Sequence, residues 1–295
     1  MDDLADRIVA AGVRTVTGDI VGDESRYDTR RFIPEWQEGI ARVEGGPLSA
    51  LLVNDGYDGD DWAEARATGN LPGDDPAAAA AAHLQRLLEA CGVEIAGDAV
   101  SGVAPAGATS IARIESAPMA QIVTEMLTTS DNNTADLVVK EIGRVRMGEG
   151  STTAGLRAER ELFATWGLPV DQIEIFDGSG LSARNRVTCD FLIDLLDREA
   201  DDPAFLAKLA TAATSGTLRD AFVGTPAAGN LHAKTGTLSI ARALSGYLID
   251  DGEEVSFSLV VNGPGAAALA QPLWDELGQA ADDVPSPISP QQLEP

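Results

Sequence analysis

Apolar and polar positions fall into two textures along the chain. Near the N-terminus, Leu4, Ile8 and Val9 recur at helical spacing and Gly12 stops the pattern, predicting a helix over 2–11. Val13, Val16 and Ile20 then space out like a strand ending at Gly22-Asp23. Leu48 to Val53, behind Gly45-Gly46-Pro47, reads as a short buried strand, and 54–76, rich in Asp, Gly and Asn, reads as loop. The run PAAAAAAHLQRLLEA at 76–90 is the clearest helix, with Gly92 near its end. Short strands are expected over 93–103. Past residue 115 the texture changes. Met119, Ile122, Val123 and Met126 follow an i, i+3, i+4, i+7 rhythm behind Pro118, a helix interrupted at Thr128–Asn132. Further helices are predicted over 135–145, 152–166, 188–198 and 203–213, with a tight glycine turn at 177–182. A strand meander follows at 231–238, 243–249 and 255–261, its second turn at Asp250-Asp251-Gly252-Glu253. A last helix over 266–281 offers Leu269, Leu273, Trp274 and Leu277 as its apolar face, and 282–295, with four prolines, reads as a loose tail. No internal repeat is read. The pattern divides the chain at 110–116 into an α/β or β-rich first part and an α+β second part.

Composition narrows the field. With 44% hydrophobic and 23% charged residues among 295, the chain is an ordinary globular protein and not a disordered or fibrous one. Its net charge of −26 makes nucleic acid and anionic membrane poor partners. No apolar run approaches the roughly 18 residues of a transmembrane segment. The acidic start, Met1-Asp2-Asp3-Leu4-Ala5-Asp6, lacks the basic-then-apolar layout of a signal peptide. Cys91 and Cys189 read as free, buried thiols. His83 and His232 have no ligand spacing, so neither a zinc site nor a serine–histidine triad is supported.

Three short segments stand out as chemistry: Ser130-Asp131-Asn132 between two helices, Asp177-Gly178-Ser179-Gly180-Leu181-Ser182, and Lys234-Thr235-Gly236-Thr237 at the head of the meander. Taken singly they read as a helix cap, a turn and a surface strand. In order, Ser-Asp-Asn and Lys-Thr-Gly are two of the three signature motifs of penicillin-binding proteins and class A β-lactamases, the third being Ser-x-x-Lys. The flanks SDNNTADLVVKEIG, FDGSGLSARNRVT, ATSGTLRDAF and AAGNLHAKTGTLSIARALSGYL resemble the D-alanyl-D-alanine carboxypeptidase/endopeptidase family of the penicillin-binding protein 4 type, peptidase family S13. Upstream, GDIVGDESRYD and GGPLSALLVNDG resemble the domain this family inserts between its nucleophile motif and its SxN motif.

The resemblance implies a multidomain α+β protein. Residues 1–115 would be the remainder of an inserted α/β domain, 116–281 a transpeptidase-like catalytic domain with an antiparallel sheet flanked by helices, and 282–295 a flexible tail. It implies hydrolysis of D-Ala-D-Ala peptides through an acyl-serine. The substrates are peptidoglycan stem peptides, β-lactam antibiotics are inhibitors, no metal or organic cofactor is needed, and the location is extracytoplasmic, in periplasm or cell wall. Carried over onto matching positions, Ser130 relays a proton to the departing amine. Asn132 offers its side-chain amide to the substrate backbone. Lys234 supplies positive charge for the substrate carboxylate and favours proton transfer at Ser130. Thr235 and Thr237 hydrogen-bond that carboxylate, Gly236 keeps the strand edge unencumbered, and the Thr237 N–H is half of an oxyanion hole. Ser179 and Ser182 receive no catalytic step.

The nucleophile motif is absent. The three lysines, Lys140, Lys208 and Lys234, have Leu137, Phe205 and Leu231 three residues before them, so no Ser-x-x-Lys exists in the chain. The family layout puts that motif upstream of the inserted domain, so this chain is expected to begin inside that domain. Without serine and lysine there is no acyl-enzyme by the family route, and the chain alone is expected to be inactive and poorly stable. Ser130 is not expected to stand in as nucleophile, since its lysine partner is Lys234 and the rest of the site would be misaligned. A non-catalytic peptidoglycan-binding protein and a β-lactamase-like esterase are the alternatives.

Overall fold

A computed structural model of the chain describes residues 1–57, 64, 67–69, 72–200, 202–250 and 253–283. The loop reading of 58–63, 65–66 and 70–71, the Asp251-Gly252 tip of the hairpin turn and the tail from 284 onward lie outside these described residues. The helices that build the fold are α1 (Asp2–Ala10), α2 (Glu38–Val43), α3 (Pro76–Ala90), α4 (Met119–Thr129), α5 (Asn132–Met147), α6 (Thr152–Thr165), α7 (Cys189–Glu199), α8 (Pro203–Leu206) and α9 (Ala266–Gln279). The strands are β1 (Thr15–Val16), β2 (Ile20–Asp23), β3 (Glu94–Ile95), β4 (Ala99–Gly102), β5 (Ala210–Thr211), β6 (Leu231–Leu238), β7 (Ala241–Asp250) and β8 (Glu253–Asn262). Two compact units emerge. The first comprises Met1–Ala117, Asn132–Leu162 and Ile175–Asn185; the second comprises Pro118–Asp131, Phe163–Glu174 and the described residues from Arg186 onward.

In the first unit, α1–β1–β2 and α3–β3–β4 are two copies of one helix–strand–strand arrangement. β1 pairs in parallel with β3 and β2 with β4, Thr15 opposite Glu94 and Ile20 opposite Ala99. Each copy passes from its helix through a positive-φ glycine, Gly12 and Gly92, to a valine, a strand, a Gly-Asp pair and a second strand. The Asp98 N–H donates to the Asp19 Oδ1 at 2.9 Å, tying the two Gly-Asp corners together. This corrects the reading of a chain without repeats. The copies share only a few backbone-setting residues, too sparse a signal in the letters alone. Neither copy can bury its own apolar face, so Ala5, Leu88 and Val93 form one core between them. Asp75 caps α3 by accepting the Ala78 N–H, with Pro76 in its first turn. Gly22 lets β2 approach α3: a Cβ there would sit 2.1 Å from the Ala77 carbonyl oxygen.

Leu48 to Val53 is not the expected strand. The Ser49 hydroxyl accepts the Leu51 N–H and donates to the Glu24 carboxylate at 2.5 Å, a pairing that competes with a ladder. Helix α5 starts at Asn132, three residues before its expected start, and the interruption narrows to Ser130-Asp131. α5 and α6 cross closely at glycines: a Cβ on Gly155 would lie 2.0 Å from the Val139 carbonyl oxygen.

The second unit is built on one antiparallel sheet of order β5-β6-β7-β8. The expected meander is there with longer strands, β7 reaching Ala241 and Asp250, β8 reaching Glu253 and Asn262. One face is covered by α9, whose Ala270 and Trp274 join Leu218, Leu231, Ala233 and Leu244 in the core. The other face carries α7: Tyr247 donates its hydroxyl to the Leu196 carbonyl at 2.7 Å, and the two residues pack with Leu209. The arrangement is the antiparallel sheet flanked by helices that the resemblance implied. Three expectations are corrected here. The helix over 203–213 ends at Leu206, because Ala210 and Thr211 pair with Ala233 and His232 as β5. The buried stripe of α9 is Ala266, Ala270, Trp274 and Gly278, and Leu269 and Leu273 of the predicted face are exposed. Both cysteines are free but exposed, since Cys91 follows the end of α3 and Cys189 begins α7.

Candidate active site

The second unit brings Ser130 and Lys234 together. Ser130 follows the last residue of α4 and takes a left-handed conformation, φ 61° and ψ 50°, with its N–H bonded to the Met126 carbonyl. Position is fixed from below. The Thr128 hydroxyl donates to the Lys208 carbonyl at 3.1 Å, just before β5. Gly216, at φ 55°, lies against the Thr128 carbonyl, where a Cβ would come within 2.2 Å of the oxygen. Lys234 projects from β6, and its Nζ donates to the Ser130 Oγ at 2.6 Å and to its neighbour's carbonyl, that of Thr235, at 2.7 Å. Burial pushes the ammonium down to about 8. His232, on the same face of β6, is also lowered by burial, and its Nδ1 meets the Thr211 hydroxyl at 3.1 Å.

β6 presents an open edge beyond this pair. The Leu231 carbonyl accepts the Ala212 N–H, so odd-numbered residues of β6 direct their backbone groups away from β7. β5 covers that edge only at His232 and Ala233. The backbone groups of Thr235 and Thr237 therefore face outward, and no strand among the described residues pairs with them. Thr235 donates its hydroxyl to Thr217 at 2.9 Å, and Thr237 accepts from the Arg242 guanidinium at 2.5 Å. Gly236 adds no side chain between them; a Cβ there would touch only Ala243. Thr217 and Arg242 were not singled out in the sequence, although Thr217 lies in the quoted ATSGTLRDAF segment. Nothing in that string marks it as the partner of a threonine on another strand.

Asn132 belongs to the first unit, as the first residue of α5. On that helix, Asp136 is fully buried and its Oδ1 accepts the Gly178 N–H at 2.7 Å. Burial pushes this carboxyl up to about 7, against the lowering effect of that N–H. The DGSGLS turn closes around Asp177. Its carboxylate accepts the Trp36 indole N–H at 2.8 Å, the Ser182 N–H at 2.6 Å, the Gly180 N–H at 2.9 Å and an Asn185 amide N–H at 2.7 Å. This segment is thus a folding hub, and the sequence held no sign that its aspartate would be the centre. Among the described residues no group of three His, Cys, Asp or Glu stands placed to hold a metal ion, and no helix is long and apolar enough to cross a membrane.

An antiparallel sheet with helices on both faces, with a serine and a lysine in contact at its open edge, is the penicillin-binding fold. The chain belongs to the D-Ala-D-Ala carboxypeptidase 3 (S13) family, whose model matches residues 61–276. It is 32% identical to a D-alanyl-D-alanine carboxypeptidase of Actinomadura sp. (strain R39) over 92% of this chain and 64% of that protein. It is 30% identical to carboxypeptidase DacB of Mycolicibacterium smegmatis over 90% of this chain and 58% of that one. The chain thus spans about three fifths of the length of these curated relatives. The fold matches penicillin binding protein 4 (dacB) from Haemophilus influenzae with a TM-score of 0.78 at 19% identity, covering 94% of this chain and 78% of that one. A structure of the same protein complexed with a β-lactam matches at a TM-score of 0.61 and 26% identity, over 71% of this chain and 52% of that one.

Proposed function

We propose that this chain carries the substrate-binding and proton-relay half of a serine-type D-Ala-D-Ala carboxypeptidase/endopeptidase acting on peptidoglycan stem peptides outside the cytoplasmic membrane. The observation that carries the reading is the 2.6 Å contact between Lys234 Nζ and Ser130 Oγ beside the open edge of β6. An extended peptide adds to such an edge by backbone hydrogen bonds. The Thr237 N–H faces the carbonyl to be polarised, Thr235 and Thr237 receive the terminal carboxylate near the Lys234 charge, and Ser130 passes a proton to the leaving amine. The same reading assigns Asn132 to the substrate backbone, and takes 1–115 as the inserted domain and 116–281 as the catalytic domain. β-Lactams compete for the same edge, in keeping with the β-lactam complex of the Haemophilus relative.

The family route begins with a Ser-x-x-Lys nucleophile, which these 295 residues do not contain. The chain by itself therefore binds the peptide and does not cleave it. The same absence favours a second reading, a peptidoglycan-binding protein that keeps the cleft without turnover. The test is an N-acylated tripeptide ending in D-Ala-D-Ala, with D-alanine release and equilibrium binding measured separately on the 295-residue chain. Binding that is lost in Lys234→Met, without D-alanine release, is the expected result. Release of D-alanine would overturn the inactivity, and absence of binding would overturn the site.

A further inference from the structure

We propose that Ser130 and Lys234 form a self-contained nucleophile–base pair, through which this chain is acylated on Ser130 by activated carboxylic esters. This goes beyond the peptide-hydrolase reading and does not depend on it, and it departs from the sequence-based expectation that Ser130 serves only as a relay.

Three observations converge. The first is contact: the Lys234 amine lies 2.6 Å from the Ser130 Oγ and is steered there by the Thr235 carbonyl at 2.7 Å. A nucleophile and its base within hydrogen-bond reach, the base oriented by a third group, is the common signature of an activated hydroxyl. The second is backbone strain. Ser130 sits at φ 61° after a helix end, where glycine is the default and a side chain is disfavoured. Strain of this kind, held in place by its surroundings, clusters at reactive residues. The third is the surrounding chemistry. The groups facing Lys234 are neutral: Ser130 at the end of α4, Ser245 opposite it on β7, and His232 two residues away on β6. Burial is the whole cause of its lowered affinity for protons, so the free amine is present in mildly alkaline solution.

The step balances without any further reagent. The Lys234 amine takes the Ser130 hydroxyl proton as Oγ bonds to the acyl carbon. The bond from that carbon to the aryl oxygen breaks and aryloxide departs. The Lys234 ammonium then gives its proton to solvent. The free amine takes a proton from water as that water attacks the acyl carbon, the acyl–Oγ bond breaks, Oγ receives the proton from Lys234, and the carboxylate leaves with the last proton of the water passing to solvent. The outward N–H of Thr237 lies on the edge where the developing oxyanion can be met. Amide leaving groups are far poorer, so the step is confined to activated esters.

The probe is p-nitrophenyl acetate at pH 8.5 with the 295-residue chain, read by p-nitrophenolate release, intact mass and peptide mapping. One acetyl group on Ser130, with a release rate rising through about pH 8, is the expected result. Ser130→Gly, which suits the left-handed conformation, and Lys234→Arg, which keeps the cation but not the base, should each lower the rate by about 100-fold or more. Circular dichroism on both variants separates lost chemistry from lost fold. Acetyl on other side chains with none on Ser130, or an unchanged rate in folded Ser130→Gly, overturns the proposal. Either result leaves D-Ala-D-Ala peptide binding to be judged by its own assay.

Discussion

Lys140 and Asp28 form an ion pair that is buried on one side only: the Nζ–Oδ1 distance is 2.6 Å, the lysine side chain is wholly enclosed, and the aspartate keeps 38% of its exposure. The two partners are therefore not equivalent. Lys140→Met removes the buried charge and lets Asp28 return to water, at a cost of about 1–2 kcal/mol. Asp28→Ala strands an enclosed ammonium with the Arg30 carbonyl, at 2.9 Å, as its remaining hydrogen-bond acceptor among the described residues. That loss should be about 3–5 kcal/mol. Urea unfolding of both variants checks the order, and a costlier Lys140→Met would contradict it.

Asp177 accepts four N–H donors, from Trp36, Gly180, Ser182 and Asn185, on its two oxygens. Asp177→Asn keeps the shape but turns one oxygen into a donor. At least one N–H then meets another N–H in a buried place, at a cost of about 2–4 kcal/mol. Ser179→Ala, in the same turn, should stay within about 1 kcal/mol. Thermal unfolding of the pair decides whether this segment is a structural hub. Equal effects would mean that it is not.

How much of this was legible in the letters varies with the range of the interaction. The helix at 76–90 and the three long strands announce themselves, because periodicity and caps are local. The Ser130 and Lys234 motifs stand out in the sequence, and their closeness follows from a resemblance and not from spacing. What escaped was set by distant partners. The two residues of β5 carry no period of their own, so the letters favour helix there, and pairing with β6 decides the matter. The face of α9 was misread because leucines outweigh alanines on any hydropathy scale, whereas close packing on the sheet selects Ala266, Ala270 and Gly278. Asp136 and Asp177 look like surface aspartates until the chain folds over them.

Asp136 links stability to pH. In the unfolded chain its carboxyl titrates at the ordinary 3.8; in the folded chain burial holds it at about 7. Between these values the folded state keeps a proton that the unfolded state has lost. The resulting stabilisation is complete below the unfolded value and disappears as pH rises to the folded one, at up to about 1.4 kcal/mol per pH unit. Asp136→Asn retains an oxygen for the Gly178 N–H and cannot titrate. Urea midpoints from pH 4.5 to 7 should fall more steeply for the native chain than for the variant. Parallel curves would sink the assignment.

Ser130 should be a place where stability and chemistry oppose each other. Its φ of 61° disfavours any residue with a Cβ, by about 1–2 kcal/mol. Glycine escapes that strain but loses more freedom on folding, by about 0.5–1 kcal/mol. Alanine and glycine both delete the hydroxyl and leave Lys234 the same contact with the Thr235 carbonyl. The difference between Ser130→Gly and Ser130→Ala therefore isolates the backbone, and glycine should be the more stable by roughly 0.5–1 kcal/mol. Gly216→Ala is the control of opposite sign, because its positive φ of 55° comes with a Cβ that would press on the Thr128 carbonyl at 2.2 Å. It should lose several kilocalories where Ser130→Gly gains. If chemical denaturation finds the alanine variant of Ser130 as stable as the glycine variant, the left-handed conformation is not held in solution. The strain argued for the serine would then fall with it.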